Sequence, residues 1–256
     1  MKKKVEQTAA AISEKLSTIP SVDCILLQES AERDLSNPYF FISLDVYYRG
    51  ALPGPDERRL LFGNVGAFES SPFALKDRFF INDIPVRIEY KHKDRVDHII
   101  QNKEGNIWVF KDTGTYMFYR LKNGTVTQQK TSWIDGVRGK LDDFNDGFWS
   151  AIRNAAFSAM EHQVIDISSA VINNDDLFYM ISMSGYIKSL CSFLYAVNRE
   201  FEPSKRHISE HIVKLKKLPE NFAGRFDSLL RNDVEFSRSK RQEVAKLLTK
   251  SLLYLK

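Results

Sequence analysis

The stretch VDCILLQESAERDLSNPYFFISLDVYY, residues 22–48, contains two apolar runs separated by a polar segment. Turn-forming or polar residues bound each run, which predicts a strand, a short loop and a second strand. In the second run, Ser43 and Asp45 alternate with aliphatic residues. Side chains alternate between the two faces of a strand, so Ser43 and Asp45 are predicted to share one face.

A second segment repeats this pattern farther along the chain. In PVRIEYKH, residues 85–92, Arg87 and Glu89 alternate with apolar residues and are predicted to share a strand face. If the two predicted strands are neighbours, Asp45 and Glu89 could converge on one ion.

The remainder of the first half alternates helical and strand patterns. Apolar spacings of three and four predict an amphipathic helix over residues 4–19 and another over residues 93–102. A third helix is predicted to begin at Pro55, and the pair Asn82-Asp83 predicts a tight hairpin turn. We expect the third helix to bury a stripe formed by three aliphatic residues: Leu60, Leu61 and Val65. This alternation indicates an α/β layer.

The second half of the chain has a different pattern of apolar residues. Apolar residues recur every three or four positions through residues 148–159 and 177–194, which predicts two long helices. Asp175 and Asp176 are placed to cap the second of them. Three shorter helices are predicted to follow. The polar, turn-rich segment KNGTVTQQK indicates a boundary, so we predict domains at residues 1–125 and 126–256.

Composition indicates a globular protein. The 256 residues are 43% hydrophobic, which is ample for a core, and the net charge is only +4. The two cysteines provide neither a disulfide framework nor metal-ligand spacing. Glu6, Gln7 and Thr8 follow the basic N-terminus before any long apolar run, and there is no apolar run of roughly eighteen residues. We therefore expect a soluble cytoplasmic protein without a membrane partner.

Two features resemble the nucleotidyltransferase superfamily typified by DNA polymerase beta and the aminoglycoside nucleotidyltransferases. One is a strand, a loop with a serine, a strand with polar residues two apart, and a later strand with a further acid. The other is LCSFLYAVNREFEPSKRH, residues 190–207, which resembles a segment of bacterial members with an appended helical bundle. The resemblance covers nearly the whole chain. It implies an α+β fold, with a nucleotidyltransferase-like mixed β-sheet and flanking helices followed by an all-α helical bundle domain.

The resemblance also implies site residues. The family's Gly-Ser pair, which holds a triphosphate, corresponds to Glu29 and Ser30; its carboxylate pair corresponds to Ser43 and Asp45, and its third carboxylate to Glu89. Asp45 and Glu89 are therefore the expected catalytic residues and ligands of Mg²⁺. A glutamate in place of glycine adds bulk and negative charge, and Ser43 in place of aspartate weakens the metal site.

Basic residues near the start of a later helix complete the predicted site. Lys205 and Arg206 follow Pro203, and they are expected to bind the nucleotide together with Ser30 and Ser43. A solvated helix start is the competing interpretation of these two residues.

Three hypotheses about function follow. The first is a Mg²⁺-dependent transferase that moves a nucleoside monophosphate from ATP or another nucleoside triphosphate to a hydroxyl of a small molecule or protein. The second is an inactive relative that binds a nucleotide or another anion, and the third is an interaction module that uses the helical bundle. We do not expect nucleic acid as a partner. The acceptor, the preferred base and the oligomeric state stay open.

Overall fold

The computed structural model describes residues 2–28, 40–73, 75–231 and 236–255. The chain divides into two compact units. We call Met1–Asn102 with Phe118–Asp143 the sheet unit, and Lys103–Met117 with Phe144–Lys256 the helical unit.

The described part of the sheet unit holds a six-stranded mixed sheet in the order β3-β4-β5-β2-β1-β6. Strands β2 and β5 are parallel, and the other neighbouring pairs are antiparallel. The strands are β1 (Val22–Leu27), β2 (Ile42–Tyr48), β3 (Gly66–Ser70), β4 (Lys76–Ile81), β5 (Ile84–His92) and β6 (Thr125–Gln129).

Helices accompany this sheet in the sheet unit. They are α1 (Lys2–Ser17), α2 (Pro55–Phe62), α3 (Lys93–Gln101) and α6 (Trp133–Asp142), together with residues 118–123 of α5 (Tyr116–Asn123), which follows α4 (Ile107–Thr113) in the chain. Helix α1 packs its apolar stripe on one face of the sheet, where the aliphatic residues of β2 and β5 lie. The mixed sheet with flanking helices confirms the predicted fold class.

Several local predictions are confirmed. Helices α1 and α3 occupy the two segments where amphipathic helices were predicted. The β4–β5 hairpin turns at Asn82 and Asp83, whose φ values of 47° and 63° lie in the left-handed region. Asparagine and aspartate tolerate this region better than other non-glycine residues, which is why the pair marks the turn.

The buried stripe predicted for α2 is wrong at Leu60, whereas Leu61 and Val65 are partly buried against the apolar core of the sheet unit. Leu60 is 79% exposed, whereas Arg58 and Phe62 are buried. Arg58 is buried because Asp77 of β4 accepts two hydrogen bonds from its guanidinium, at 2.8 Å to Nε and 2.9 Å to Nη2. The Tyr90 hydroxyl donates to the same carboxylate at 2.8 Å. A polar partner thus decides which face of this short helix points inward.

The polar segment KNGTVTQQK, which was predicted as a domain boundary, contains strand β6. It pairs with β1 at the edge of the sheet, and Thr127 Oγ1 donates to the carbonyl oxygen of Ile25 at 3.1 Å. Polar side chains are common on edge strands, which protects them from pairing with other chains. Residues 118–143 therefore belong to the sheet unit, and the two units differ from the predicted domains 1–125 and 126–256.

The helical unit is built around a long helical hairpin. Its helices from α7 onward are α7 (Asp146–Asn173), α8 (Asp176–Asn198), α9 (Ile208–Ile212), α10 (Phe222–Leu230) and α11 (Arg238–Leu252). Helices α7, α8, α10 and α11 all contribute to one apolar core. As predicted, Asp175 caps α8, because its Oδ1 accepts a hydrogen bond from the Phe178 N–H at 2.9 Å.

Among the described helices, α8 is long and apolar enough to cross a membrane by length and composition alone. Eleven of its residues, including Tyr186, Leu190 and Leu194, are buried within the protein. A core helix satisfies the same criterion, so this is weak evidence for a membrane span.

Candidate functional site

The two predicted acidic residues meet in the centre of the sheet. Strands β2 and β5 are parallel neighbours, and Asp45 is in direct register with Glu89. Ser43 is likewise in register with Arg87. The condition on which convergence of Asp45 and Glu89 depended, that their strands are neighbours, is therefore met. These polar side chains lie on the face opposite the aliphatic core because strand residues alternate.

The carboxylate of Asp45 is fully buried and surrounded by donors. Its Oδ1 contacts Arg120 Nη2 at 2.6 Å and Lys91 Nζ at 2.7 Å. Its Oδ2 accepts from Arg120 Nε at 2.7 Å, from Gln28 Nε2 at 2.9 Å and, more weakly, from the Tyr47 hydroxyl at 3.4 Å. Arg120 therefore binds Asp45 in a bidentate manner, the strongest geometry for such a pair.

Glu89 is held by a second group of cations. Its carboxylate contacts Arg87 at 2.8 Å, Lys76 at 3.4 Å and Lys91 at 3.6 Å. Burial by itself would raise the pKa of Glu89, but the charges of Lys91, Arg120, Arg87 and Lys76 outweigh it and lower the pKa to about 2. Glu89 is therefore ionised across the physiological range.

We call Asp45, Glu89, Lys76, Arg87, Lys91 and Arg120 the basic cluster. Its four cations and two carboxylates leave a formal surplus of two positive charges. The side chains of Lys76 and Arg87 are 31% exposed, and that of Lys91 is 24% exposed. Solvent therefore reaches these three cationic side chains, whereas the carboxylate of Asp45 is inaccessible to solvent.

Two further groups fix the position of the cluster. Ser43 Oγ accepts a hydrogen bond from Arg120 Nη2 at 3.3 Å. Burial and then the charge of Asp45 raise the pKa of Tyr47 well above its ordinary value, which keeps its hydroxyl protonated as a donor. The Tyr47 ring lies 5.1 Å from the ring of Trp133 in α6. This polar face of the sheet is thus packed by aromatic groups as well as by charge.

The residues present do not fit a divalent cation in this arrangement. Mg²⁺ is bound through carboxylate oxygens that are available to it, together with water and substrate phosphates. Here both oxygens of Asp45 are occupied by cationic or amide donors. In the described part of the chain, no three His, Cys, Asp or Glu side chains gather as a possible metal group. Mg²⁺ binding by Asp45 and Glu89 stays a prediction that requires Arg120 and Lys91 to move away.

The other predicted site residues do not join this cluster. Ser30 and its neighbour Glu29 lie outside the described residues. Lys205 and Arg206 belong to the helical unit, where they precede α9 and line a cavity of that unit. Their predicted contact with nucleotide stays a prediction.

Sequence reasoning missed Arg120. This residue lies in α5, 75 positions after Asp45, and no motif marks it. Lys91 was a visible candidate, because it lies two residues beyond Glu89 and strand alternation places both on one face.

No protein-family model and no curated protein sequence matches this chain. Among solved structures, the chain is similar to a nucleotidyltransferase-like protein from Exiguobacterium sibiricum 255-15. The TM-score is 0.52 with 12% sequence identity, over 98% of this chain and 76% of that chain. At this identity the similarity shows the fold alone, which is a nucleotidyltransferase-like α+β fold.

Proposed function

We propose that the sheet unit is a nucleotide-binding member of the nucleotidyltransferase-like fold that holds phosphate with basic side chains and does not require Mg²⁺. The observation that carries the proposal is the bidentate pair between Arg120 and the buried Asp45. This pair puts a fixed positive charge where the resemblance implies a metal ion. The proposed function is the binding of a nucleoside triphosphate without transfer chemistry.

The charge of the basic cluster supports this proposal. The side chains of Lys76, Arg87 and Lys91 are partly exposed. Glu89 forms an ion pair with each of them and so helps to fix their positions. Among the described residues, Arg87 Nε makes no hydrogen bond although it is buried. A phosphate from solvent would contact the partly exposed remainder of the Arg87 side chain, and arginine binds phosphate with good geometry.

A second candidate function is the Mg²⁺-dependent transfer of a nucleoside monophosphate. The in-register placement of Asp45 and Glu89 on parallel strands favours it, because such a pair can share one cation. An acceptor hydroxyl would attack the α-phosphorus, lose its proton to solvent and release pyrophosphate. Asp45 would first have to exchange Arg120 for the metal ion.

Calorimetric titration with ATP, in excess Mg²⁺ or in excess EDTA, separates the two candidates. We expect binding in EDTA to be at least as tight as in Mg²⁺, because free ATP carries more negative charge toward the basic cluster. The double substitution Lys76→Ala/Arg87→Ala should weaken ATP binding by about tenfold or more. The matched control is Arg95→Ala/Lys140→Ala, which removes one arginine and one lysine that are exposed elsewhere in the sheet unit.

Binding that requires Mg²⁺ and is lost in Asp45→Asn would contradict the proposal and favour the transferase. Transfer of label from a triphosphate to an acceptor in cell extract, absent in Asp45→Asn, would establish that alternative. Ser43→Asp would then strengthen Mg²⁺ binding by adding a carboxylate. ATP binding in neither condition would leave the interaction module as the remaining hypothesis.

A further inference from the structure

The helical unit contains a cavity of about 600 Å³ whose walls are largely apolar. Ile187 and Cys191 of α8, Phe226 of α10 and Tyr116 of α5 contribute to these walls. Burial raises the pKa of the Cys191 thiol to about 12, so this side chain acts there as an apolar group. Cavities that bind small organic molecules have this size and this kind of lining.

One acidic side chain is built firmly into the cavity wall. Glu202 is buried, and its backbone N–H donates to Thr115 Oγ1 at 2.9 Å. Its carboxylate lies against Gly114, where a Cβ would come within 2.7 Å of Glu202 Oε2. Gly114 has a φ of +70°, which favours glycine, and a Cβ at this position would force the Glu202 carboxylate to shift. Ser192 also hydrogen-bonds the carboxylate.

The solvent side of the same cavity is basic. Lys205 and Arg206 are exposed and line it, as does Lys188 of α8. Among the residues that line this cavity, three are cationic and one, Glu202, is acidic. Burial raises the pKa of Glu202, although the hydrogen bonds from Ser192 and the Thr115 backbone and the charges of Lys188 and Lys205 act in the opposite direction.

We propose that this cavity binds a small phosphate monoester that carries an aromatic or heteroaromatic ring. The phosphate dianion binds at the part of the lining where Lys188, Lys205 and Arg206 provide cationic donors. The ring packs between Tyr116 and Phe226, since aromatic groups associate by stacked or edge-to-face contacts. Glu202 accepts a hydrogen bond from the ligand. This site lies wholly within the helical unit, and it does not depend on the function proposed for the sheet unit.

Calorimetry with defined probes tests the proposal. The candidate ligands are phenyl phosphate and the four common nucleoside monophosphates. Inorganic phosphate, which has the charge but no ring, and adenosine, which has a ring but no phosphate, are the controls. We expect at least one ring-bearing phosphate to bind about tenfold more tightly than inorganic phosphate or adenosine. Preference for nucleotides over phenyl phosphate, or the reverse, identifies the source of the ring.

Substitutions in the cavity test whether the ring-bearing phosphate binds there. Lys205→Ala/Arg206→Ala should weaken this binding by about tenfold or more, and the affinity should fall as salt increases. The exposed pair Lys214→Ala/Lys216→Ala is the matched control and should leave it unchanged. Ser184→Phe, from the exposed side of α8, should fill the cavity and abolish binding while circular dichroism stays that of the wild type.

Several results would overturn the proposal. They are equal affinity for inorganic phosphate and every ring-bearing probe, absence of binding at millimolar concentrations, and retained binding in a folded Ser184→Phe variant. Lys76→Ala/Arg87→Ala separates the two sites. It should leave the ring-phosphate affinity intact, and loss of that affinity would assign the binding to the sheet unit instead.

Discussion

Substitution of Arg120 by methionine should destabilise the sheet unit strongly. Methionine keeps much of the length of the side chain but removes both bonds to Asp45, at 2.6 and 2.7 Å. Breaking a buried ion pair from one side costs about 3–5 kcal/mol, because the remaining charge stays buried. Lys91 and Gln28 still contact Asp45, at 2.7 and 2.9 Å, so we expect a loss near the lower end, about 3 kcal/mol.

The loss can be measured by urea unfolding with a probe that reports on the sheet unit. Trp133 lies in that unit, and replacing Trp108 and Trp149 of the helical unit by phenylalanine makes its fluorescence specific. Lys122→Met is the control on the same helix. Lys122 is 42% exposed and pairs with the exposed Asp142, so its loss should cost less than about 1 kcal/mol.

A double-mutant cycle isolates the pair itself. The double variant Arg120→Met/Asp45→Asn also removes the buried negative charge. Its loss of unfolding free energy should therefore be about 2 kcal/mol smaller than the sum of the losses in the two single variants. An Arg120→Met variant that loses less than about 1 kcal/mol would refute the reasoning. Asp45 would then not depend on Arg120 for its charge, and a metal ion could replace the arginine at little cost.

Two further predictions concern stability. The pKa of Glu89 is about 2 in the folded protein against an ordinary 4.5, so its contribution is complete above pH 4.5 and disappears as the pH falls toward 2. The wild type should therefore lose up to about 3 kcal/mol more than Glu89→Gln over that range, and equal pH slopes in urea unfolding would contradict the shift. Arg58→Met should cost about 3 kcal/mol or more, because Arg58 and Asp77 are 1% and 0% exposed. Arg49→Met should cost less than about 1 kcal/mol, because Arg49 and Asp94 are 60% and 57% exposed, and similar losses in the two variants would show that burial does not set the cost.

The sequence was sufficient to predict the two central strands and the face of each that carries its polar residues, but not their pairing. Asp45 and Glu89 each occupy the same phase in an alternating apolar segment, so parallel pairing places them side by side. The hairpin at Asn82 and Asp83 followed from two residues that tolerate a positive φ. These features are local, and local patterns are what a single sequence displays.

The features that were missed depend on contacts between distant residues. Arg58 is buried in α2 because Asp77 lies opposite it, and no periodicity in the helix reveals that partner. Strand β6 has the polar sequence TVTQQ, so its pairing with β1 gives no apolar alternation to detect. Arg120 reaches Asp45 across 75 positions of the chain. Tertiary partners, rather than propensity, decide all three.

The contacts of Asp45 decide whether Asp45 and Glu89 are better suited to binding a metal ion or to holding cations that bind an anion. In-register acids on parallel strands suit a shared cation, and here Arg120 and Lys91 provide that positive charge. A magnesium ion would have to displace a bidentate arginine from a fully buried carboxylate and then coordinate beside Ser43, a neutral ligand. The displaced guanidinium would also need a new partner, since an unpaired charge at a buried site is costly. An incoming phosphate meets no such barrier, because the exposed sides of Lys76, Arg87 and Lys91 already face solvent with a surplus of positive charge. The cluster is therefore better suited to an anion than to a metal ion, and ATP binding in EDTA is the measurement on which that conclusion depends.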